Sequence, residues 1–373
     1  MIYLDNAATT PVNPKALQAA WPWLTEEFGN PSSSHELGQR AAAALEAARD
    51  GVARFLGARA SEITFTSGGT ESDNLAILGM ALANPRGRHI VSAKTEHQAV
   101  LESIEFLERE HGFEITWLNL DEFGNIQNFA EALRKDTSLV SLMVSNNEIG
   151  TIHPIAELAQ QAHEIGALFH TDAVQAVGWT NLNVKELGVD ALSISGHKFG
   201  APKGSGVLYL KAGVALSPMI HGGGQEKGVR SGTENLAWAV AMQTALEQLG
   251  NSAEESTRVS RLRDDFIEKV LTGCSFARLT GDPKRRSANL ASFTFSKVSG
   301  EALLLELERR GVIVSSGSAC AAGRNDPSHV LVAIGIEPEV AQTAVRFSFS
   351  HEISESELNA AAKALLDSIA VFV

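Results

Sequence analysis

Ala191-Leu192-Ser193-Ile194-Ser195-Gly196-His197-Lys198 is the stretch on which the reading of this chain turns. An apolar run, 191–194, passes into serine, glycine and histidine, and a lysine closes it. A Gly-rich segment follows with Gly200, Gly204 and Gly206, then a second apolar run at 207–210. An amine in such a place is costly to bury as an ammonium ion and tends to lose its proton. The neutral amine is the form that makes a Schiff base with an aldehyde. The plainer alternative is a lysine on a surface turn, and the rest of the chain decides between the two.

Outward from that stretch the same pattern repeats. Short β-type runs stand at 62–66, 89–92, 114–118, 139–145, 167–170 and 191–195. Helical spacing separates most of them, as at 100–107 and 155–162, and a longer helix is expected over 36–55. In that helix Leu37, Ala41, Leu45, Ala48, Val52 and Phe55 share one face, and Gly57 stops it. Strands alternating with helices predict an α/β fold with a parallel sheet covered by helices. An acidic, polar helix expected at 251–263 leads to a second region. There strands at 290–295 and 345–349 alternate with helices at 301–310 and 355–368, which reads as a smaller α+β domain. No internal repeat or low-complexity tract is present.

The 373 residues suffice for roughly two or three domains. The net charge of -13 argues against direct nucleic-acid binding. No stretch approaches the roughly 20 apolar residues of a membrane span. The opening Met1-Ile2-Tyr3-Leu4-Asp5-Asn6 lacks the basic and apolar parts of a signal peptide. Cys274 and Cys320 are the only cysteines, which excludes a disulfide framework and fits a reducing cytoplasm.

In open α/β sheets, ligands bind outside the carboxyl ends of the strands. Five polar clusters follow the expected strands: Ser67-Gly68-Gly69-Thr70-Glu71-Ser72, Glu96-His97, Asn146-Asn147-Glu148, Asp172 with Gln175, and His197-Lys198. Together they predict one crevice. Ser67 to Thr70 opens a helix expected at 74–83, and glycines there let backbone N–H groups approach a phosphate. Simple N-capping by Ser67 or Thr70 is the alternative. The pattern is neither a Walker A loop nor a dinucleotide fingerprint, so a nucleotide site is disfavoured. Asp172 suits a protonated ring nitrogen, or else caps a helix; His97 suits ring stacking, or else is a plain surface or helix-cap residue. Phosphate cradle, pyridinium partner and Schiff-base lysine together point to pyridoxal phosphate, with no metal.

The chain resembles the cysteine desulfurases of the NifS/IscS type, in the class V aminotransferase family. The resemblance runs through 3–11, Phe28-Gly29-Asn30-Pro31-Ser32, 66–74, Thr95-Glu96-His97, Asn146-Asn147-Glu148-Ile149-Gly150 and Ser195-Gly196-His197-Lys198. It continues through Arg230-Ser231-Gly232-Thr233, Ser315-Ser316-Gly317-Ser318-Ala319-Cys320 and Arg346-Phe347-Ser348. It implies the pyridoxal-phosphate transferase fold of type I. The large cofactor domain would span 16–250 and the small domain 251–373, with 1–15 packing on the small domain. It also implies residue roles. Lys198 would hold the cofactor and move the substrate Cα proton. Gly69, Thr70, Ser195 and His197 would hold the phosphate, joined by Thr233 from the other subunit of a homodimer. His97 would stack on the ring, Asp172 would pair with its nitrogen and Gln175 would contact its phenolic oxygen. Asn147 and Arg346 would take the substrate carboxylate. A guanidinium in an otherwise apolar strand suits that on its own chemistry, the alternative being a buried ion pair with an acidic side chain.

Cys320 carries the distinctive expectation. It lies in a Gly/Ser/Ala-rich stretch, 315–323, unlike the packed setting in which free cysteines are usually inert. Cys274 fits that packed setting. The thiolate of Cys320 would attack the sulfur of bound L-cysteine, leaving alanine and a persulfide. After Cys320 the chain reads Ala321-Ala322-Gly323-Arg324-Asn325-Asp326 in place of a Thr-Ser-rich run. The length up to Pro327 matches the longer-loop group, which favours desulfurase over selenocysteine lyase. The chain ends at Val373 soon after its last expected helix, whereas members serving the iron–sulfur scaffold often carry an extension. The acceptor therefore stays open between an iron–sulfur scaffold and a tRNA-thiolation relay. A selenocysteine lyase or cysteine C–S lyase is the rival enzyme. A non-catalytic sulfur carrier would have lost the lysine, aspartate or arginine, and all three are present.

Overall fold

The computed structural model describes residues 1–84, 86–316 and 326–373. Its strands are β1 (Ile2–Tyr3), β2 (Ile63–Thr66), β3 (His89–Ser92), β4 (Glu114–Trp117), β5 (Thr137–Ser141), β6 (Leu168–Asp172), β7 (Ala191–Ser195), β8 (Gly206–Leu210), β9 (Ala277–Leu279), β10 (Leu290–Phe295), β11 (Val312–Ile313) and β12 (Val345–Ser348). β2 to β8 form one seven-stranded sheet in the order β2-β8-β7-β6-β5-β3-β4. β3, β4, β5, β6 and β7 pair in parallel. β8 departs from the parallel expectation and runs antiparallel to both neighbours. The reason is the short connection 196–205, since a parallel return needs a crossover of about a dozen residues or more. β2, being antiparallel to β8, runs in the direction of β7. The carboxyl ends of β2, β3, β4, β5, β6 and β7 therefore share one edge.

Helices cover this sheet as the periodicity predicts, with shifted bounds. The helix Glu36–Leu56 ends on Gly57 at φ 67°, a left-handed conformation that glycine adopts without steric cost. The helix expected from 74 starts at Gly69, so Gly69 and Thr70 belong to its first turn. The acidic helix runs over Ser252–Gly273, well past 263. The helices Pro14–Thr25 and Leu236–Gln248 were not anticipated. Val140, Phe169, Leu192 and Ile194 are fully buried between sheet and helices. None of the described helices is long and apolar enough to cross a membrane.

A second, antiparallel sheet has the order β12-β10-β9. Its core is aromatic: Phe266, Phe293, Phe347 and Phe349 are buried together, with the Phe266 and Phe347 rings 5.0 Å apart. Leu4 joins that core, and β1 pairs in parallel with β11. From there the N-terminal segment crosses to the first sheet. Asn6 Nδ2 donates to the Ser348 carbonyl at 2.8 Å, and Thr10 N donates to the His197 carbonyl at 2.9 Å.

Candidate active site

The shared strand edge gathers the polar clusters. Lys198 follows β7 in a single helical turn and is half-buried. Its Nζ donates to the carbonyls of Ala7, at 2.5 Å, and Ala8, at 2.8 Å. The surface-turn alternative for this lysine is thereby excluded. Asp172 ends β6, buried, and its Oδ1 accepts from Val174 N at 2.8 Å. Burial pushes its carboxyl up, while His97 and Lys198 pull it back down. His97 caps the helix Gln98–His111, its Nδ1 accepting from Ala99 N at 3.1 Å. That bond leaves the ring hydrogen on Nε2. Burial holds His97 below the usual histidine range, and so do the charges of Lys198 and His329, against the pull of Asp172. His97, Asp172 and Lys198 thus form one electrostatic group at the strand ends.

The remaining predicted residues fall around that group. Gly69 opens the helix Gly69–Ala83 against the end of β7. A Cβ there would come within 2.8 Å of Val174 Cγ2 and 3.4 Å of Ser195 Cβ. The first N–H groups of this helix have no partner within the helix by geometry, and they carry its positive dipole end. Thr70 is exposed beside Gly69. Ser195 is buried at the end of β7. His197 Nδ1 lies 3.2 Å from Thr9 Oγ1, and burial with the nearby Lys198 and Lys203 brings it down to about 4. Gln175 Nε2 donates to the Ala7 carbonyl at 2.9 Å. Thr233 is exposed in the segment leading into the helix Leu236–Gln248. Cys320 lies outside the described residues.

Arg346 is buried on β12 and takes the ion-pair alternative. Its Nη2 donates to Asp5 Oδ1 at 2.9 Å, and its Nη1 to the Asn147 carbonyl at 2.9 Å. Its Nε has no hydrogen-bond partner among the described residues. Two of five N–H donors are so engaged, which leaves the guanidinium able to take a carboxylate as well.

Sequence reasoning gave no role to four acids. Asp5 holds Arg346. Asp73 and Glu96 are buried behind Asp172, and one oxygen of each, Asp73 Oδ1 and Glu96 Oε2, lacks a hydrogen-bond partner among the described residues. Burial pushes both carboxyls well up, and the Asp172 charge adds to it. Of these three acids Asp172 is the one that faces Lys198 and His97, both of which favour its charged form. Glu148, buried next to Asn147, is pushed up to about 7 by burial, although Ser328 and Arg346 favour its charge. All four stand inside or beside the quoted motifs. The burial of Asp73, Glu96 and Glu148 and the long-range pairing of Asp5 with Arg346 were the missing signals.

The class V aminotransferase family model matches residues 2–360. This chain belongs to that family. Family members are pyridoxal-phosphate-dependent enzymes. Among its class V relatives, the cysteine desulfurase IscS of Dictyoglomus turgidum is 48% identical over 362 residues, covering 96% of this chain and 92% of the relative. The cysteine desulfurase IscS of Methanosarcina thermophila is 46% identical, covering 93% and 86%. A solved NifS-like protein superposes with a TM-score of 0.92 at 34% identity, over 100% of both chains. The structure of SspA in complex with cysteine gives 0.82 at 35% identity, over 94% of this chain and 99% of that one.

Proposed function

We propose that the chain is a pyridoxal-phosphate-dependent cysteine desulfurase. The observation that carries this reading is the meeting of Lys198, Asp172 and His97 at one strand edge. Two features support a fit to the cofactor. The close contact at Gly69 leaves room only for backbone, in front of a helix N-terminus suited to a phosphate. A buried acid raised by desolvation, at Asp172, gains from a cationic ring nitrogen beside it.

In this reading Lys198 holds the cofactor, and Gly69, Thr70, Ser195 and His197 hold its phosphate, with Thr233 reaching in from a second subunit. Gln175 hydrogen-bonds the cofactor's phenolic oxygen and His97 covers the ring. When bound, pyridoxal phosphate supplies an electron sink at the substrate α-carbon. Arg346 and Asn147 orient the carboxylate of L-cysteine. Lys198 Nζ takes the Cα proton. The Cys320 thiolate attacks the substrate sulfur, the carbon–sulfur bond breaks with its electron pair left on the carbon, and the skeleton takes one proton at Cβ and regains one at Cα from Lys198 to leave as alanine. Cys320 keeps the sulfur as a persulfide for an acceptor protein, an iron–sulfur scaffold or a tRNA-thiolation relay. A homodimer in the cytoplasm, with a large domain at 16–250 and a small one at 251–373, completes the reading.

The test is release of alanine from L-cysteine by the protein loaded with pyridoxal phosphate. Lys198→Ala is expected to abolish it and to remove the visible absorbance of covalently held cofactor. Full turnover by that variant refutes the assignment. Faster turnover of selenocysteine than of cysteine by the parent would instead favour a selenocysteine lyase.

A further inference from the structure

The residues that follow the Cys320 stretch make bonds that none of the roles above uses. Ser328 is buried, and its Oγ donates to Glu148 Oε2 at 2.5 Å while accepting from Leu331 N at 3.1 Å. His329 Nε2 stands 3.0 Å from the carbonyl of Glu96, and its Nδ1 stands 3.4 Å from Gln98 Nε2. The two neighbours thus reach different strand-end clusters, Ser328 the turn after β5 and His329 the turn after β3.

Those turns are themselves joined. Asn146 Nδ2 donates to the Thr95 carbonyl at 2.8 Å, and Asn146 Oδ1 accepts from the backbone of Glu148 and of Ile149, both at 2.9 Å. A closed ring results: Thr95, Asn146, Glu148, Ser328, His329 and Glu96. Asn147 lies inside it, with its carbonyl on Arg346, and His97 follows Glu96 directly. Glu148 is a costly choice for a merely structural link, because a buried carboxyl without a bonded cation is strongly desolvated. The hydroxyl of Ser328 is its one side-chain hydrogen-bond donor among the described residues.

We infer that Ser328 and His329 are positioning residues, closing a hydrogen-bonded ring that fixes Asn147 with Arg346 on one side and His97 on the other. The inference rests on the proposed desulfurase reading for its kinetic arm and on the hydrogen bonds alone for its other arm. Loss of the Ser328 bond frees the 146–150 turn and so acts on substrate carboxylate binding. Loss of the His329 bonds acts on His97.

The holoenzyme is assayed with L-cysteine, and amide hydrogen exchange is followed by mass spectrometry. Ser328→Ala is expected to raise KM about tenfold, the effect of one charge-assisted hydrogen bond, with kcat within about threefold of the parent. Exchange of amides 146–150 is expected to quicken about tenfold. Ser328→Thr, which keeps the hydroxyl, is expected to restore both. A parent-like KM or parent-like exchange in Ser328→Ala overturns the inference. Should that variant fail to fold, His329→Phe fills the space without the bonds. It is expected to lower kcat about tenfold and quicken exchange at 95–99, and parent-like values of either overturn the proposal. A parent enzyme releasing no alanine would count against the desulfurase reading alone. The exchange arm then decides the ring by itself.

Discussion

Asp172 shows how one side chain's chemistry depends on its surroundings. Asp73, Glu96 and Asp172 are buried carboxyls that act on one another, and of the three only Asp172 has both Lys198 and His97 pulling it toward its charged form. Asp172→Asn keeps the shape and removes the charge. Turnover of cysteine is expected to fall about a hundredfold or more, with the cofactor still bound as read by its absorbance. Parent-rate turnover would remove Asp172 from the mechanism. The two thiols separate in the same way. Cys274 is buried in the aromatic core of the second sheet, so Cys274→Ala is expected to desulfurate like the parent at a cost of about 1 kcal/mol in stability. Cys320→Ala is expected to bind cofactor, release almost no alanine and carry no persulfide. Mass mapping of the added sulfur to Cys274 would reverse the assignment.

Elements place these residues. The carboxyl ends of six strands share an edge because β2 runs with β7 despite the antiparallel β8 between them. The helix Gly69–Ala83 begins five residues before its apolar pattern does, because its first turn packs on the end of β7 rather than on the core. Gly69→Ala tests that contact. The new Cβ would meet Val174 Cγ2 at 2.8 Å and Ser195 Cβ at 3.4 Å, so the helix start must shift. Overpacking of this kind costs about 1–3 kcal/mol. A lower melting temperature is expected, together with about tenfold weaker pyridoxal phosphate binding in a fluorescence titration. Unchanged cofactor affinity would show that the phosphate does not sit at this turn.

Across the whole molecule, buried titrating groups of opposite kinds are balanced. His153, His197 and His351 are brought down to about 4, and His170 to about 3, burial being the largest cause in each. Each takes up a proton on unfolding between its folded value and about 6.5, so each favours the folded state less as pH falls through that window. Glu148, at about 7 in the fold, does the reverse between about 4.5 and 7, and Asp73 and Glu96 lie in the same direction. The two sets oppose each other from about pH 4.5 to 6.5. Below about 4.5 the raised glutamates, and below about 4 Asp73, become protonated folded or unfolded. The histidines still bind protons on unfolding there, joined by Glu62, lowered to about 2 by its bonds to Arg59 and Ala212 despite burial. The urea midpoint, followed by circular dichroism, is therefore expected to stay nearly level from pH 6.5 to 5 and to drop steeply below 4.5. A steady decline from pH 6.5 would contradict this balance. The sequence by itself determined the strand–helix alternation, the run Ala191–Ser195 and the polar clusters after the strands. Periodicity and turn chemistry act over a few neighbouring residues, and every one of those signals is local. Only the tertiary structure decided the antiparallel course of β8, the pairing of Asp5 with Arg346, the carbonyls set on Lys198 and the bond from Ser328 to Glu148. Those partners lie 341, 191 and 180 residues apart along the chain. The upward push on the Asp73, Glu96 and Glu148 carboxyls comes from desolvation, which exists only once distant segments have packed around them.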